Sequence, residues 1–256
     1  MPNRTRLGNS SPIILHGMLN GAVGWLNLLQ HRLLPPTCLL CGADGAGQRD
    51  LCAACLADLP RNANPCPRCA LPLPINSAGL CSHCQAQPPI FDRAFAPFRY
   101  QPPLDALIKT LKFGGRLANA RLLGDLFATA LVERGGPWPD CIAPTPLHPR
   151  RLRERGFNQA LELARTVARR LRIPLQPSLL RRIRYTLPQT QLDAYHRQTN
   201  PLGAFALGHS LPGTHIALID DVITTASTIS ECARVLHSGG AITLEVWAIS
   251  RASADP

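Results

Sequence analysis

The run Ile216-Ala-Leu-Ile-Asp220-Asp221-Val-Ile-Thr224-Thr225-Ala226-Ser227-Thr228 constrains the fold more than any other part of the chain. Four apolar residues in succession fit a strand buried on both faces, as in a parallel sheet. Two carboxylates stand at its carboxyl end, where α/β sheets bind ligands. Hydroxyl residues follow, and Ile229, Cys232, Ala233 and Leu236 then recur at helical spacing as far as Gly239-Gly240. Strand, hydroxyl-rich turn and helix amino terminus together make an anion site, because unpaired N–H groups and the helix dipole face the turn. Acids beside such a cradle suit a ligand carrying a phosphate and neighbouring hydroxyls, which is the shape of a ribose 5-phosphate. The plainer alternative is an ordinary helix N-cap after a core strand whose acids are merely solvated.

Eight of the ten cysteines form four C-x-x-C knuckles: Cys38/Cys41, Cys52/Cys55, Cys66/Cys69 and Cys81/Cys84. Two intervening residues let both sulfurs of a knuckle reach one tetrahedral metal. The array repeats internally, since Cys38-Leu-Leu-Cys41-Gly42 leads to Leu51-Cys52-Ala-Ala-Cys55, and Cys66-Pro-Arg-Cys69-Ala70 leads to Leu80-Cys81-Ser-His-Cys84. Each repeat supplies four thiolates, so two sequential Cys₄ zinc sites are expected rather than an interleaved pairing. Disulfides are the alternative, but no secretory signal points to an oxidising compartment. Residues 37–85 hold few large apolar side chains, so the zinc would be structural, and its removal is expected to unfold the chain before residue 86. His83, inside the last knuckle, is expected to stand aside from the metal. Cys141 and Cys232 fall on an expected strand and helix and read as core residues.

The formal net charge is +11, and two Zn²⁺ on eight thiolates would bring it to about +7. All basic residues but Lys109 and Lys112 are arginine, the side chain that grips phosphate bidentately. They concentrate between His148 and Gln198, where twelve arginines face three acids, Glu154, Glu162 and Asp193. Such a segment is a footprint for polyanions, pyrophosphate or nucleic acid. No run of eighteen apolar residues occurs, so no membrane span is expected. The apolar stretch near 13–34 is interrupted by polar residues and reads as an amphipathic helix packed on the next module; a signal peptide, suggested by Arg4 and Arg6 ahead of it, is the weaker alternative because no small-residue cleavage pattern follows. A cytoplasmic location is the resulting expectation.

The remainder reads as α/β. A strand-like run covers Arg93–Tyr100, a helix opens after Pro102-Pro103, and a second runs from about Leu117 to Glu133. Cys141-Ile-Ala-Pro-Thr145-Pro146 is a short strand entering a loop that carries Arg150, Arg151, Arg153 and Arg155. Asn158 is the expected N-cap of the next helix. The stretch from Arg181 to Asn200 is basic and aperiodic, and a loop of that length is usually functional or mobile, with a solvated surface loop as the plainer alternative.

The Asp-Asp loop resembles the phosphoribosyl pyrophosphate (PRPP) loop of type I phosphoribosyltransferases. Arg155-Gly156-Phe157-Asn158-Gln159, Gln189…Arg197…Asn200…Gly203-Ala204-Phe205 and the four-knuckle ribbon tighten the likeness to the ComF family and its gluconate-utilisation (GntX-type) relatives. The resemblance implies a small double zinc ribbon before a type I phosphoribosyltransferase-like parallel sheet with helices on both faces. Its segments would be a helical 1–34, a ribbon module 35–88 and an α/β domain 89–256. It further implies that Asp220 and Asp221 hold the ribose, while Thr224, Thr225, Ala226, Ser227 and Thr228 hold the 5-phosphate. Arg150, Arg151, Arg153 or Arg155 would meet the diphosphate, with Mg²⁺ accompanying PRPP. Ala226 departs from the family, which usually has Gly there. The family association with natural transformation implies single-stranded DNA and competence helicase-type proteins as partners. Two readings therefore stand: a phosphoribosyltransferase of unknown acceptor, or a single-strand-binding accessory module with Phe157, Tyr185 or Tyr195 for base stacking.

Overall fold

The computed structural model describes residues 35–186 and 201–253, in two compact units that divide at Cys55/Leu56. The expected helix before residue 35, and residues 187–200 of the basic stretch, lie outside the described residues. Among the described residues no helix is long and apolar enough to cross a membrane.

In the first unit, a hairpin-like turn carries the opening knuckle. Cys38 N–H donates to Ala43 O at 2.7 Å, and Gly42, at φ +78°, closes the turn back onto Cys38 O. The second repeat reproduces this inside the other unit. There Cys66 N–H donates to Leu71 O at 2.8 Å, and Ala70 takes φ +58° where Gly42 stands in the first. Each second knuckle opens a single helical turn, α1 (Ala53–Ala57) and α2 (Ser82–Ala86).

The larger unit is built on parallel strands β1 (Arg93–Phe95), β2 (Phe98–Arg99), β3 (Cys141–Pro144), β6 (His215–Ile223) and β7 (Thr243–Arg251). Their order is β1-β7-β6-β3, with β2 also on β7. The strand expected over Arg93–Tyr100 is split in two, because Pro97 offers no N–H to the ladder. A separate antiparallel pair joins β4 (Leu180–Arg182) to β5 (Phe205–Leu207). The helices are α3 (Leu104–Gly114), α4 (Leu117–Arg134), α5 (Pro149–Arg155), α6 (Gln159–Leu171) and α7 (Ser227–Ser238).

Strand alternation divides the core between the two sheet faces. Ile216 and Leu218 of β6 meet Ile229, Cys232, Ala233 and Leu236 of α7 in one cluster. Its other edge is formed by Cys66, Cys69, Cys81 and Cys84, so the second knuckle pair packs as part of the α/β core. The two compact units divide at Cys55/Leu56, between the two repeats of the ribbon module expected over 35–88. Helices α4 and α6 lie against β7, β6 and β3 and touch each other at Gly124, where a Cβ would come within 2.7 Å of Thr166. At the amino end of β7 the fully buried Glu245 carboxylate accepts from Arg93 (2.6 Å), Arg134 (2.7 Å) and Trp247 Nε1 (2.9 Å). Burial would raise its pKa, but these donors outweigh it and bring it to about 2. This network lies at the end of the sheet opposite the acids of β6.

Candidate functional site

A cleft of about 880 Å³ opens at the carboxyl end of the parallel strands. Asp220 and Asp221 reach it from the end of β6, and Thr224, Thr225 and Thr228 from the turn into α7. The turn is bound to Ala226, which takes φ +59° and ψ +4° at the helix N-cap position. A residue with a Cβ pays roughly 1–2 kcal/mol for that left-handed conformation. Ala226 also borders a small hollow of about 50 Å³ with Asp220, Thr224 and Thr228. Ser227, the first residue of α7, stands with its Oγ 3.1 Å from Thr225 Oγ1.

The two acids occupy different environments. Asp221 is only 3% exposed, and its Oδ2 lies 2.6 Å from Lys112 Nζ. Burial pulls the Lys112 pKa down, but the charge of Asp221 more than offsets it, and the ammonium is held above its ordinary value. Asp220 is half-buried and accepts the Asp221 N–H at 2.8 Å. Burial, and next the charge of Asp221, push its pKa up to about 7. Asp220 therefore keeps part of its proton near neutrality.

The segment expected as an arginine-bearing loop is helical. His148 Nδ1 caps α5 by accepting the Arg150 N–H at 3.2 Å, and Pro149 supplies a preset φ at the first helical position. Helical spacing then sorts the arginines. Arg151 and Arg155, one turn apart, line the cleft, whereas Arg150 pairs with Glu154 at 3.0 Å and is not itself a lining residue. Arg153 is exposed and does not line the cleft. Arg155 Nη1 donates to Gln159 Oε1 at 2.5 Å, which fixes its guanidinium at the start of α6. Asn158 caps α6 as expected, its Oδ1 accepting from Ala160 N–H at 3.0 Å, while its Nδ2 donates to Thr145 O.

Sequence reasoning assigned no role to several residues of this wall. Lys112, Phe113, Gln159 and Arg182 all line the cleft. The available signal was that the two lysines sit just before Phe113-Gly114-Gly115, but only Lys112 faces the acids. Lys109 pairs with Asp105 at 2.7 Å on the outer face of α3. Aromatic rings stand at the rim. Tyr185 lies under Arg150 at 4.9 Å, and Phe113, 77% exposed, lies under Arg155 at 5.8 Å.

Cys38, Cys41, Cys52 and Cys55 gather as one quartet, and Cys66, Cys69, Cys81 and Cys84 as another, with all sulfurs of each within 4.8 Å of one another. Tetrahedral zinc with Zn–S bonds near 2.3 Å sets its sulfurs about 3.8 Å apart. Cys41–Cys52 at 3.7 Å and Cys69–Cys81 at 3.6 Å match that spacing. Burial would raise the leading thiol of each repeat, but knuckle N–H groups outweigh it and bring Cys38 to about 6 and Cys66 to about 7. Both quartets are zinc-ribbon-like and suited to structural zinc. His83 is exposed and belongs to neither. Cys141 and Cys232 are fully buried, and burial raises both thiols, Cys141 to about 11, as befits core residues.

Fold and site thus define a class: a zinc-ribbon protein joined to a parallel α/β domain with an acid pair and an arginine-lined cleft at the carboxyl end of its strands. A double zinc ribbon domain model matches residues 29–88. DNA utilization protein YhgH of Salmonella typhi is 35% identical over 223 residues, covering 85% of this chain and 98% of the relative. The protein of the same name from Escherichia coli K12 is 34% identical over the same shares. Competence protein F of Haemophilus influenzae is 34% identical over 179 residues, 67% of this chain and 78% of the relative. The chain belongs to the ComF/YhgH family.

Proposed function

We propose that the cleft binds PRPP or a ribose 5-phosphate nucleotide and serves the handling of incoming DNA or its nucleotides. One arrangement carries this reading: the Asp220/Asp221 pair and the Thr224–Thr228 turn share a cleft with Lys112, Arg151, Arg155 and Arg182. Acids accept ribose hydroxyls, the turn and helix amino terminus take a 5-phosphate, and the opposite wall meets a diphosphate. Asp220 and Asp221 are hard oxygen donors that would hold Mg²⁺, which supplies neutralisation of diphosphate charge when bound. Lys112 would then exchange its ion pair with Asp221 for a phosphate oxygen. Loss of diphosphate leaves a cationic sugar, so catalysis would consist of positioning and electrostatic stabilisation. Two structural zinc ions, one per quartet, complete the protein. The names of its relatives, DNA utilization protein and Competence protein F, support the DNA context.

A second reading, a single-strand-binding groove, is favoured by the rim, where arginines lie over Tyr185 and Phe113 as they do on base-stacking platforms. Titration calorimetry of the zinc-loaded chain with PRPP–Mg²⁺ separates the two. Binding that is lost in Asp221→Asn supports the phosphoribosyl site. Failure to bind PRPP, together with salt-sensitive binding of single-stranded DNA unchanged in that variant, supports the groove.

A further inference from the structure

Arg251, the last residue of β7, is buried at 8% exposure and donates to four backbone carbonyls. Its Nε bonds Cys69 O at 3.2 Å, within the second cysteine quartet. Its Nη1 bonds Ile223 O at 2.9 Å, Thr224 O at 2.6 Å and Ala252 O at 2.9 Å. Ile223 ends β6 and Thr224 opens the hydroxyl turn, so one planar group spans a metal-ligating residue and the turn beside the cleft. We propose that Arg251 is a positioning residue through which metal occupancy of the Cys66–Cys84 quartet sets the order of the Thr224–Thr228 turn.

Charge and shape both favour this role. Four thiolates around Zn²⁺ carry a net charge of −2, and the guanidinium is a cation placed beside Cys69. Because the fork is rigid, a shift of Cys69 O on metal loss is passed to Thr224 O rather than absorbed by a flexible stem. Lysine keeps the charge, but a point donor cannot reach both carbonyls together. The first quartet has no comparable role in this proposal, since Cys38–Cys55 belongs to the other compact unit. The functional meaning of the coupling rests on the reading of the turn as a phosphate site. The coupling itself does not.

Hydrogen–deuterium exchange on the full-length chain, followed by mass spectrometry, tests it. In Arg251→Lys with both zinc ions retained, amides of residues 224–229 should exchange roughly tenfold faster, while residues 216–219 and 244–248 stay protected. Emptying the second quartet with Cys66→Ser should raise the same amides, and Cys38→Ser/Cys41→Ser should not. Should Cys66→Ser fail to fold, Arg251→Lys still decides. Unchanged exchange at 224–229 in Arg251→Lys, or an equal rise when the first quartet is emptied, overturns the proposal. Ribose 5-phosphate titrated onto the same proteins reports the other reading separately. No binding to wild type, with the exchange pattern intact, removes the phosphate-site assignment and leaves the coupling standing.

Discussion

Lys112 Nζ lies 2.6 Å from Asp221 Oδ2, so a lysine at the end of α3 neutralises the buried acid at the end of β6. In a partly buried setting the value of such a pair lies in what its loss leaves behind. Lys112→Met should strand a buried carboxylate and lower stability by about 1–3 kcal/mol. Lys112→Met/Asp221→Asn should recover much of that loss. Denaturant unfolding of the four proteins, read as a double-mutant cycle, measures the coupling.

Asp220 gives the site a pH signature. Its folded pKa, about 7, lies above the ordinary carboxylate value, so the native protein keeps a proton that the unfolded chain has released. Stability of the ligand-free protein should therefore fall as pH rises from about 4 to about 7 and then level off. Asp220→Asn should remove that fall. Discounted for the solvent in the cleft, the variant should gain on the order of 1–2 kcal/mol at pH 8 and nothing at pH 4. Thermal melts across that range would show it, and a parallel pH dependence in both proteins would contradict it.

Ala226 holds a conformation that suits glycine. Ala226→Gly should relieve about 1 kcal/mol of strain, partly offset by the greater entropy of the unfolded glycine chain. Tighter binding of ribose 5-phosphate by calorimetry, or a higher melting temperature, is the expected result. A weaker ligand and a lower melting temperature together would mean that the Cβ packing of Ala226 against the core outweighs the strain.

The two sides of α5 provide an internal control. Arg151→Gln should weaken PRPP binding about tenfold or more, since hydrogen bonds to charged groups contribute about 1.5–3 kcal/mol. Arg153→Gln should change it by less than about twofold, as expected for an exposed charge screened by salt. Equal losses would indicate long-range attraction alone rather than contact in the cleft.

Elemental analysis should find two zinc ions per chain, and their removal should have unequal consequences. Losing metal from the first quartet should leave the α/β core folded. Losing it from the second should expose Cys66, Cys69, Cys81 and Cys84, which are part of that core, and lower the melting temperature of the larger unit.

Local signals were legible where the physics is local. The period of the apolar residues around Ile216–Ile219 and Ile229–Leu236, the Asn158 cap and the C-x-x-C spacing each depend on neighbours a few positions away. The strand, turn, helix and quartets accordingly stand where the sequence puts them. The expected arginine loop is a helix because His148 and Pro149 start one, a signal overshadowed by the charge of the arginines after them.

Sequence by itself determined the acid pair, the hydroxyl turn, the two cysteine quartets and the parallel-sheet class, all encoded by spacing. Only the tertiary structure decided that Lys112 rather than Lys109 meets Asp221, and that Arg151 and Arg155 rather than Arg150 and Arg153 face the cleft. It also decided that Arg251 reaches Cys69 across 182 positions and draws the second ribbon into the α/β core. Those contacts join distant segments, and the energy of a buried charge depends on what surrounds it in space, which residue spacing along a chain does not record.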